Sequence, residues 1–195
     1  MTAGVSNVFF TMTLGFVVVY SSEVLRGSAT VYGVLLAIVS LGFAPGALAV
    51  SRFGAIRWAG KAWIAGCAVS GAATLGFVYF PDALAAYLCA FSIGSVLGFT
   101  NTTWLTTVQL NVPGEMQGRY FGVDQLGSFA TIPLGQILGG YIIGVYSVQF
   151  LYTLSGAGML ALSFACLFSP SLRGWGYTQS SPRADVTAAA AAASP

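Results

Sequence analysis

The side chains that could carry chemistry in this chain are few and scattered. Its 195 residues include no histidine, three cysteines and five acidic residues. Cys67, Cys89 and Cys166 lie in apolar stretches without C-x-x-C spacing, which is typical of small buried hydrophobes. Asp124 is the one acid within an apolar stretch. A Ser-His pair, an aspartate pair and a histidine-ligated zinc ion are thus excluded there, and we predict a protein that is not an enzyme, without catalytic residues, metal or cofactor.

Polar side chains that could line a pathway for a solute recur on three apolar stretches. They are Asn7 and Thr11 in the first stretch, Asn101 and Thr103 in the fourth, and Gln125 and Gln136 in the fifth. Polar groups are disfavoured in hydrocarbon unless they are paired or face water. We therefore predict that these residues line a cavity. Hydrogen bonds between helices, or from a hydroxyl to its own backbone, are the alternative interpretation.

Asp124 is the one candidate for a proton carrier embedded in the membrane. It also lies about three helical turns after Pro113, a residue that can begin a helix. A carboxylate near a helix start is stabilised by the helix dipole and could reach the cations Arg52 or Arg119. The sequence favours this second role, in which the three charged residues form a gating latch at one end of the bundle.

Four phenylalanines add apolar surface that could bind a substrate. They are Phe9, Phe10, Phe16 and Phe77. Packing against other helices or against lipid explains them equally well, so the sequence does not identify a substrate.

These groups must be positioned by a chain that is 56% hydrophobic and only 6% charged, against about one charged residue in four in soluble domains. Six apolar stretches are each long enough to cross about 30 Å of hydrocarbon. They cover residues 4–20, 31–50, 62–79, 83–108, 120–145 and 148–168. The sequence predicts an all-α membrane protein, with a six-helix bundle over 1–170 in the lipid bilayer. The serine, proline and alanine residues of 171–195 predict a disordered cytoplasmic tail.

The positions of the cations predict an orientation. The side of the bundle that carries both termini holds Arg52, Arg57, Lys61, Arg119, Arg173 and Arg183, and the opposite side holds Arg26. The positive-inside rule then places both termini in the cytoplasm of a multi-pass protein of the cell membrane. Because the charges are scattered singly, no basic stripe is available for nucleic acid, which we exclude as a partner.

The second and fifth stretches share a pattern. Gly33 and Gly122 each stand between an aromatic residue and a valine, and Pro45 and Pro133 follow at similar distances. Each stretch is the middle member of a group of three, and an odd number of crossings inverts the second group. This arrangement predicts an inverted three-plus-three repeat, with chance similarity as the alternative.

Small residues one helical turn apart occur on three of the predicted helices, where they permit close approach of backbones. The pairs are Gly33 and Ala37, Gly42 and Gly46, Gly94 and Gly98, Gly135 and Gly139, and Gly140 and Gly144. They could form a seam against another helical bundle or pack within the six helices, and the sequence leaves both interpretations open.

Several local motifs resemble the major facilitator superfamily of transporters. Segment 112–119 resembles the V-P-x-E-x-x-G-R signature before the eleventh helix, especially in multidrug and macrolide exporters. Segment 28–33 resembles the S-A-x-x-Y-G that opens the eighth helix, and segment 133–140 resembles the P-L-G-x-x-x-G-G of the eleventh. Segment 47–54 resembles a degenerate G-x-L-a-D-R-x-G-R-K loop, with Ser51 at the position of the acid.

The resemblance implies that the chain corresponds to helices seven to twelve, which is half of a major facilitator fold. It implies export of a small-molecule substrate by alternating access, with the fourth stretch lining the central cavity. A second six-helix half would come from another copy in a homodimer or from a separate chain. A non-transporting membrane subunit and a truncated transporter fragment are the alternatives.

Overall fold

The structure is a computed structural model that describes residues 2–53 and 58–174, and every regular element in this part of the chain is a helix. The helices are α1 (Thr2–Gly15), α2 (Val17–Glu23), α3 (Ala29–Phe53), α4 (Ala59–Tyr79), α5 (Ala83–Asn111), α6 (Gly114–Val145), α7 (Val148–Leu167) and α8 (Pro170–Arg173). Six spans are long and apolar enough to cross a membrane, and α1 and α2 together form one of them. The predicted all-α architecture with six membrane-spanning stretches is confirmed.

Consecutive spans run in opposite directions, so the bundle has two ends. The short connections at 24–28, 80–82 and 146–147 lie at one end, which we call the turn end. The connection at 112–113 and the ends of the described chain lie at the other, which we call the termini end. α8 falls at the start of the segment predicted as a tail. Residues 175–195 of that segment, which include Arg183, lie outside the described residues, as does Arg57.

The helix of the first span is interrupted at Phe16, within the membrane-spanning stretch Gly4–Glu23. α1 ends at Gly15 and α2 begins at Val17. Glycine has a low helix propensity, which weakens the helix at this point. The hydroxyl of Tyr152 donates to the carbonyl oxygen of Thr13 at 2.8 Å and thereby satisfies a backbone acceptor just before the break.

The turn between α5 and α6 is shorter than predicted. α5 continues to Asn111, and α6 begins at Gly114 instead of near residue 120. The side-chain amide of Gln117 donates to the carbonyl oxygens of Gln109 and Val112 at 3.1 and 2.9 Å. These two bonds satisfy acceptors at the end of α5, where the helix itself supplies no donor, and they tie the first turn of α6 to that end.

The helices pack in a definite set of pairs. α3 packs on α5, α4 packs between α5 and α7, and α1 packs between α6 and α7. The closest pair is α3 with α5, where a Cβ atom added at Gly46 would overlap the carbonyl group of Ser95, and one at Gly94 would overlap that of Val39. Only glycine permits this approach of two backbones.

Three of the five small-residue pairs are therefore used inside the bundle, whereas a Cβ atom added at Gly33 or Gly144 would meet nothing within 4 Å. Gly42 and Gly98 complete the contact between α3 and α5. Gly135 faces the backbone of Val8 on α1, and Gly139 faces the ring of Phe16. Of the two interpretations left open by the sequence, the structure assigns these glycines to internal packing.

The main hydrophobic core lies in the half of the bundle next to the turn end. Tyr20, Phe77 and Tyr152 are its largest fully buried side chains. The Tyr20 ring lies 4.9 Å from that of Phe77 and 5.2 Å from that of Tyr152, between centroids. The hydroxyl of Tyr20 donates to the carbonyl oxygen of Phe77 at 2.8 Å, so its polar atom is satisfied inside the core.

Candidate functional site

The half of the bundle next to the termini end contains an open cavity of about 1020 Å³. It lies between α5 and α6, with contributions from α1, α3, α4 and α8. The cavity thus occupies the half of the molecule that the main hydrophobic core leaves unfilled.

One part of the cavity wall is polar. Asn7 comes from α1, Asn101 comes from α5, and α6 supplies Asp124, Gln125 and Ser128. Residues four apart lie on the same face of a helix, so Asp124 and Ser128 stand one above the other on α6. The polar residues of three different helices therefore converge on one space, although they are far apart in the sequence.

The other part of the wall is aromatic. Phe10, Phe43, Trp63, Trp104 and Phe121 line the cavity from five different helices. Aromatic rings offer large rigid surfaces for apolar groups, and their faces attract cations. This combination can hold a molecule that has both an apolar body and a polar or charged group.

Asp124 is the one charged residue of the described chain that lines the cavity. It is partly buried, and α6 begins ten positions before it, at Gly114. Because the effect of a helix dipole falls off within the first turn, the dipole contributes little at this position. The carboxylate is therefore available for interaction with the contents of the cavity.

The structure brings together part of the predicted pathway and leaves part of it outside. Asn7, Asn101 and Gln125 line the cavity, and their role in a pathway for a solute stays a prediction. The remaining members do not line it: Thr11 packs at the contact of α1 with Gly135, Gln136 is exposed elsewhere on α6, and Thr103 is buried.

In the hydroxyl-rich stretch of α5, most polar side chains donate hydrogen bonds to the backbone of their own helix, which is the alternative interpretation given above. Thr106 and Thr107 donate hydrogen bonds to carbonyl oxygens one turn earlier, at 2.8 and 2.7 Å. The Asn101 amide also donates to its own helix, at the carbonyl oxygen of Leu97. Thr103 Oγ1 is buried and makes no hydrogen bond within the described part of the chain. Asn101 is exposed, so it can serve the helix and the cavity together.

The predicted latch is not assembled around Asp124. Arg52 and Arg119 are both exposed, and neither lines the cavity. The gating role of these cations stays a prediction, while Asp124 lies on the cavity wall.

Sequence reasoning missed most of the aromatic wall. Of the four phenylalanines that it selected, only Phe10 lines the cavity. Phe9 packs over Gly158, Phe16 packs over Gly139, and Phe77 belongs to the core. Trp104, which interrupts the run of polar residues on α5, was the available signal for this wall.

Comparison with known proteins identifies no relative of this chain. The chain matches no protein-family model, no curated protein and no solved structure.

Proposed function

We propose that this chain is one half of a transporter of the major facilitator type and that it provides one wall of a pathway for an organic cation. The observation that carries the proposal is the cavity at the termini end, where polar groups of three helices meet five aromatic rings. A cavity that is open at one end of a bundle and closed by a packed core at the other suits alternating access.

The pairing of the helices supports the inverted repeat on which the proposal rests. In a three-plus-three repeat the first, second and third spans correspond to the fourth, fifth and sixth. The pair formed by α1 and α6 then corresponds to the pair formed by α5 and α3, and both pairs occur. Likewise the pair formed by α1 and α7 corresponds to the pair formed by α5 and α4. The pair formed by α4 and α7 corresponds to itself, because the repeat exchanges these two helices. These contacts support a two-fold relation between the two groups.

The chemistry of the wall supports a cationic substrate with apolar groups. Asp124 supplies the single negative charge, and Trp63 and Trp104 supply ring faces. A carboxylate and aromatic rings in a partly desolvated space both favour a cation. A second six-helix half, from another copy or a separate chain, would supply the opposite wall.

Efflux of ethidium, an aromatic cation, tests the proposal in cells that lack their own exporters. Cells that produce the full chain are expected to lose ethidium faster than cells that do not. Asp124→Asn should remove most of this gain, because a hydrogen bond to a charged group contributes about 1.5–3 kcal/mol, which is about tenfold or more in affinity. Glu115→Gln is the matched control, since it removes an exposed acid of α6 that does not line the cavity.

Two results would contradict the proposal. Equal loss of ethidium with and without the chain, when the chain is inserted in the membrane as a dimer, would favour a non-transporting subunit. Efflux that is unchanged in Asp124→Asn would refute the cation site.

A further inference from the structure

A second cavity, separate from the one described above, lies on the outer side of the bundle. It is a crevice of about 480 Å³ between α3 and α4, with α5 as its floor. Its walls are made of small residues, chiefly Pro45 and Ala49 on α3 and Ala62 and Ala65 on α4. The hydroxyl of Ser95, on the floor, donates to the carbonyl oxygen of Phe91, so the crevice offers no unsatisfied hydroxyl there.

The crevice exists because both walls approach the floor closely while their side chains are short. Gly46 brings α3 against the backbone of Ser95. Gly66 brings α4 against α5, where a Cβ atom would lie 2.8 Å from Thr100 Cγ2 and 3.1 Å from Val96 Cγ1. In an apolar segment of a membrane protein, a slot of this kind is open to the acyl chains of the bilayer.

Charged and aromatic residues stand at the termini end of the crevice. Lys61 lies in the first turn of α4 next to the crevice residue Ala62, and its Nζ atom lies 4.1 Å from the centre of the Trp58 ring. Arg52 lies in the last turn of α3, one turn beyond Ala49. Lys61, Arg52 and Trp58 are all exposed. Tryptophan, lysine and arginine at the ends of membrane helices mark the level of the lipid headgroups.

We propose that the crevice binds one phospholipid with an anionic headgroup. An acyl chain lies in the apolar slot, which extends about 12 Å along α4 from Lys61 to Val69 at the helical rise, and the phosphate headgroup lies between Lys61 and Arg52. The positive charge of these residues complements the headgroup, and the small side chains leave the volume that the chain fills. This proposal does not depend on the transport function.

Spin-labelled lipids test the site in phosphatidylcholine vesicles that contain the purified full chain. The fraction of immobilised spin label is measured for phosphatidylglycerol and for phosphatidylcholine. The protein is expected to prefer phosphatidylglycerol by between about fivefold and about thirtyfold, since each Lys or Arg near an anionic headgroup contributes about 1 kcal/mol and the site has two of them. Replacing both Lys61→Gln and Arg52→Gln should reduce the ratio to about one, whereas Arg26→Gln, an exposed cation at the turn end, should keep it.

A second pair of variants separates the slot from the charges. Ala65→Phe fills the crevice and should abolish the preference, while Ala161→Phe places the same ring on an exposed position of α7 and should preserve it. Equal immobilisation of both lipids by the unmodified protein would overturn the proposal. It would also be overturned if Ala65→Phe kept the preference. Cross-linking of Ala65→Cys to a second copy of the chain in these vesicles would overturn it as well, because the crevice would then be a protein interface.

Discussion

The two halves of this bundle are built from the same helices but are filled in different ways. Next to the turn end, Tyr20, Phe77 and Tyr152 stack in a closed core in which both tyrosine hydroxyls bind backbone carbonyl oxygens. Next to the termini end, α5 and α6 border an open cavity of about 1020 Å³. The apolar helices alone do not decide whether a given half is closed, because the same six apolar spans form both halves.

The difference shows what closes the space between membrane helices. Lipid chains are as apolar as the core, so helices associate by packing and by hydrogen bonds rather than by the hydrophobic effect. The closed half contains three interlocked rings and two satisfied hydroxyls, whereas rings in the open half surround a space that also contains Asp124 and Asn101. Packed rings fix the helix ends, and converging polar groups keep a space that water or a solute can occupy.

The largest expected effect comes from removing the centre of the closed half. Tyr152→Ala should destabilise the protein by about 3–5 kcal/mol, because it leaves a cavity among fully buried rings and removes the bond to Thr13. Thermal unfolding in detergent, followed by intrinsic fluorescence, measures the effect. Tyr141→Ala is the control, since Tyr141 is 68% exposed. Equal shifts in the two variants would show that the cluster does not hold the closed end.

Access to water should differ strongly between the two ends. Ser128→Cys, on the cavity wall, and Ser21→Cys, which replaces a residue 2% exposed next to Tyr20, are compared after Cys67, Cys89 and Cys166 are replaced by alanine. A charged maleimide should label position 21 at least about a hundredfold more slowly, because it requires local opening of the packed half.

The same reagent tests the predicted orientation. If both termini face the cytoplasm, position 128 reacts in inside-out vesicles and is protected in intact cells. Fast labelling at position 21 would contradict the prediction that this half is closed. Reaction of position 128 only from outside the cell would contradict the predicted orientation.

The smallest effect isolates one hydrogen bond in the closed half. Tyr20→Phe keeps the ring and removes the bond to the Phe77 carbonyl oxygen, which should cost about 1 kcal/mol. The change in unfolding midpoint is compared with that of Tyr79→Phe, where the tyrosine is 69% exposed. An unchanged midpoint in both variants would assign the stability of the closed end to ring packing alone.

Composition and periodicity predicted the six spans, because a chain that is 56% hydrophobic has few ways to satisfy its backbone other than helices in lipid. They did not predict the break before Val17, next to which the hydroxyl of Tyr152, a residue distant in the sequence, donates to the carbonyl oxygen of Thr13. Similarly, the small residues of α3 and α5 were visible as a motif, but only their contact showed that they face each other within one chain.

The candidate site was likewise predicted in part from the sequence and decided in part by the tertiary structure. The sequence by itself determined which polar groups fall within apolar stretches, because their cost in hydrocarbon sets them apart: Asn7, Thr11, Asn101, Thr103, Asp124, Gln125 and Gln136 were selected on that ground. Only the tertiary structure decided which of them share a space, since helix rotation and pairing place Asn101 on the cavity wall and bury Thr103, two residues later, in the packed bundle. The aromatic wall was likewise decided by the fold, because a ring on an apolar helix looks the same in sequence whether it faces lipid, a core or a cavity.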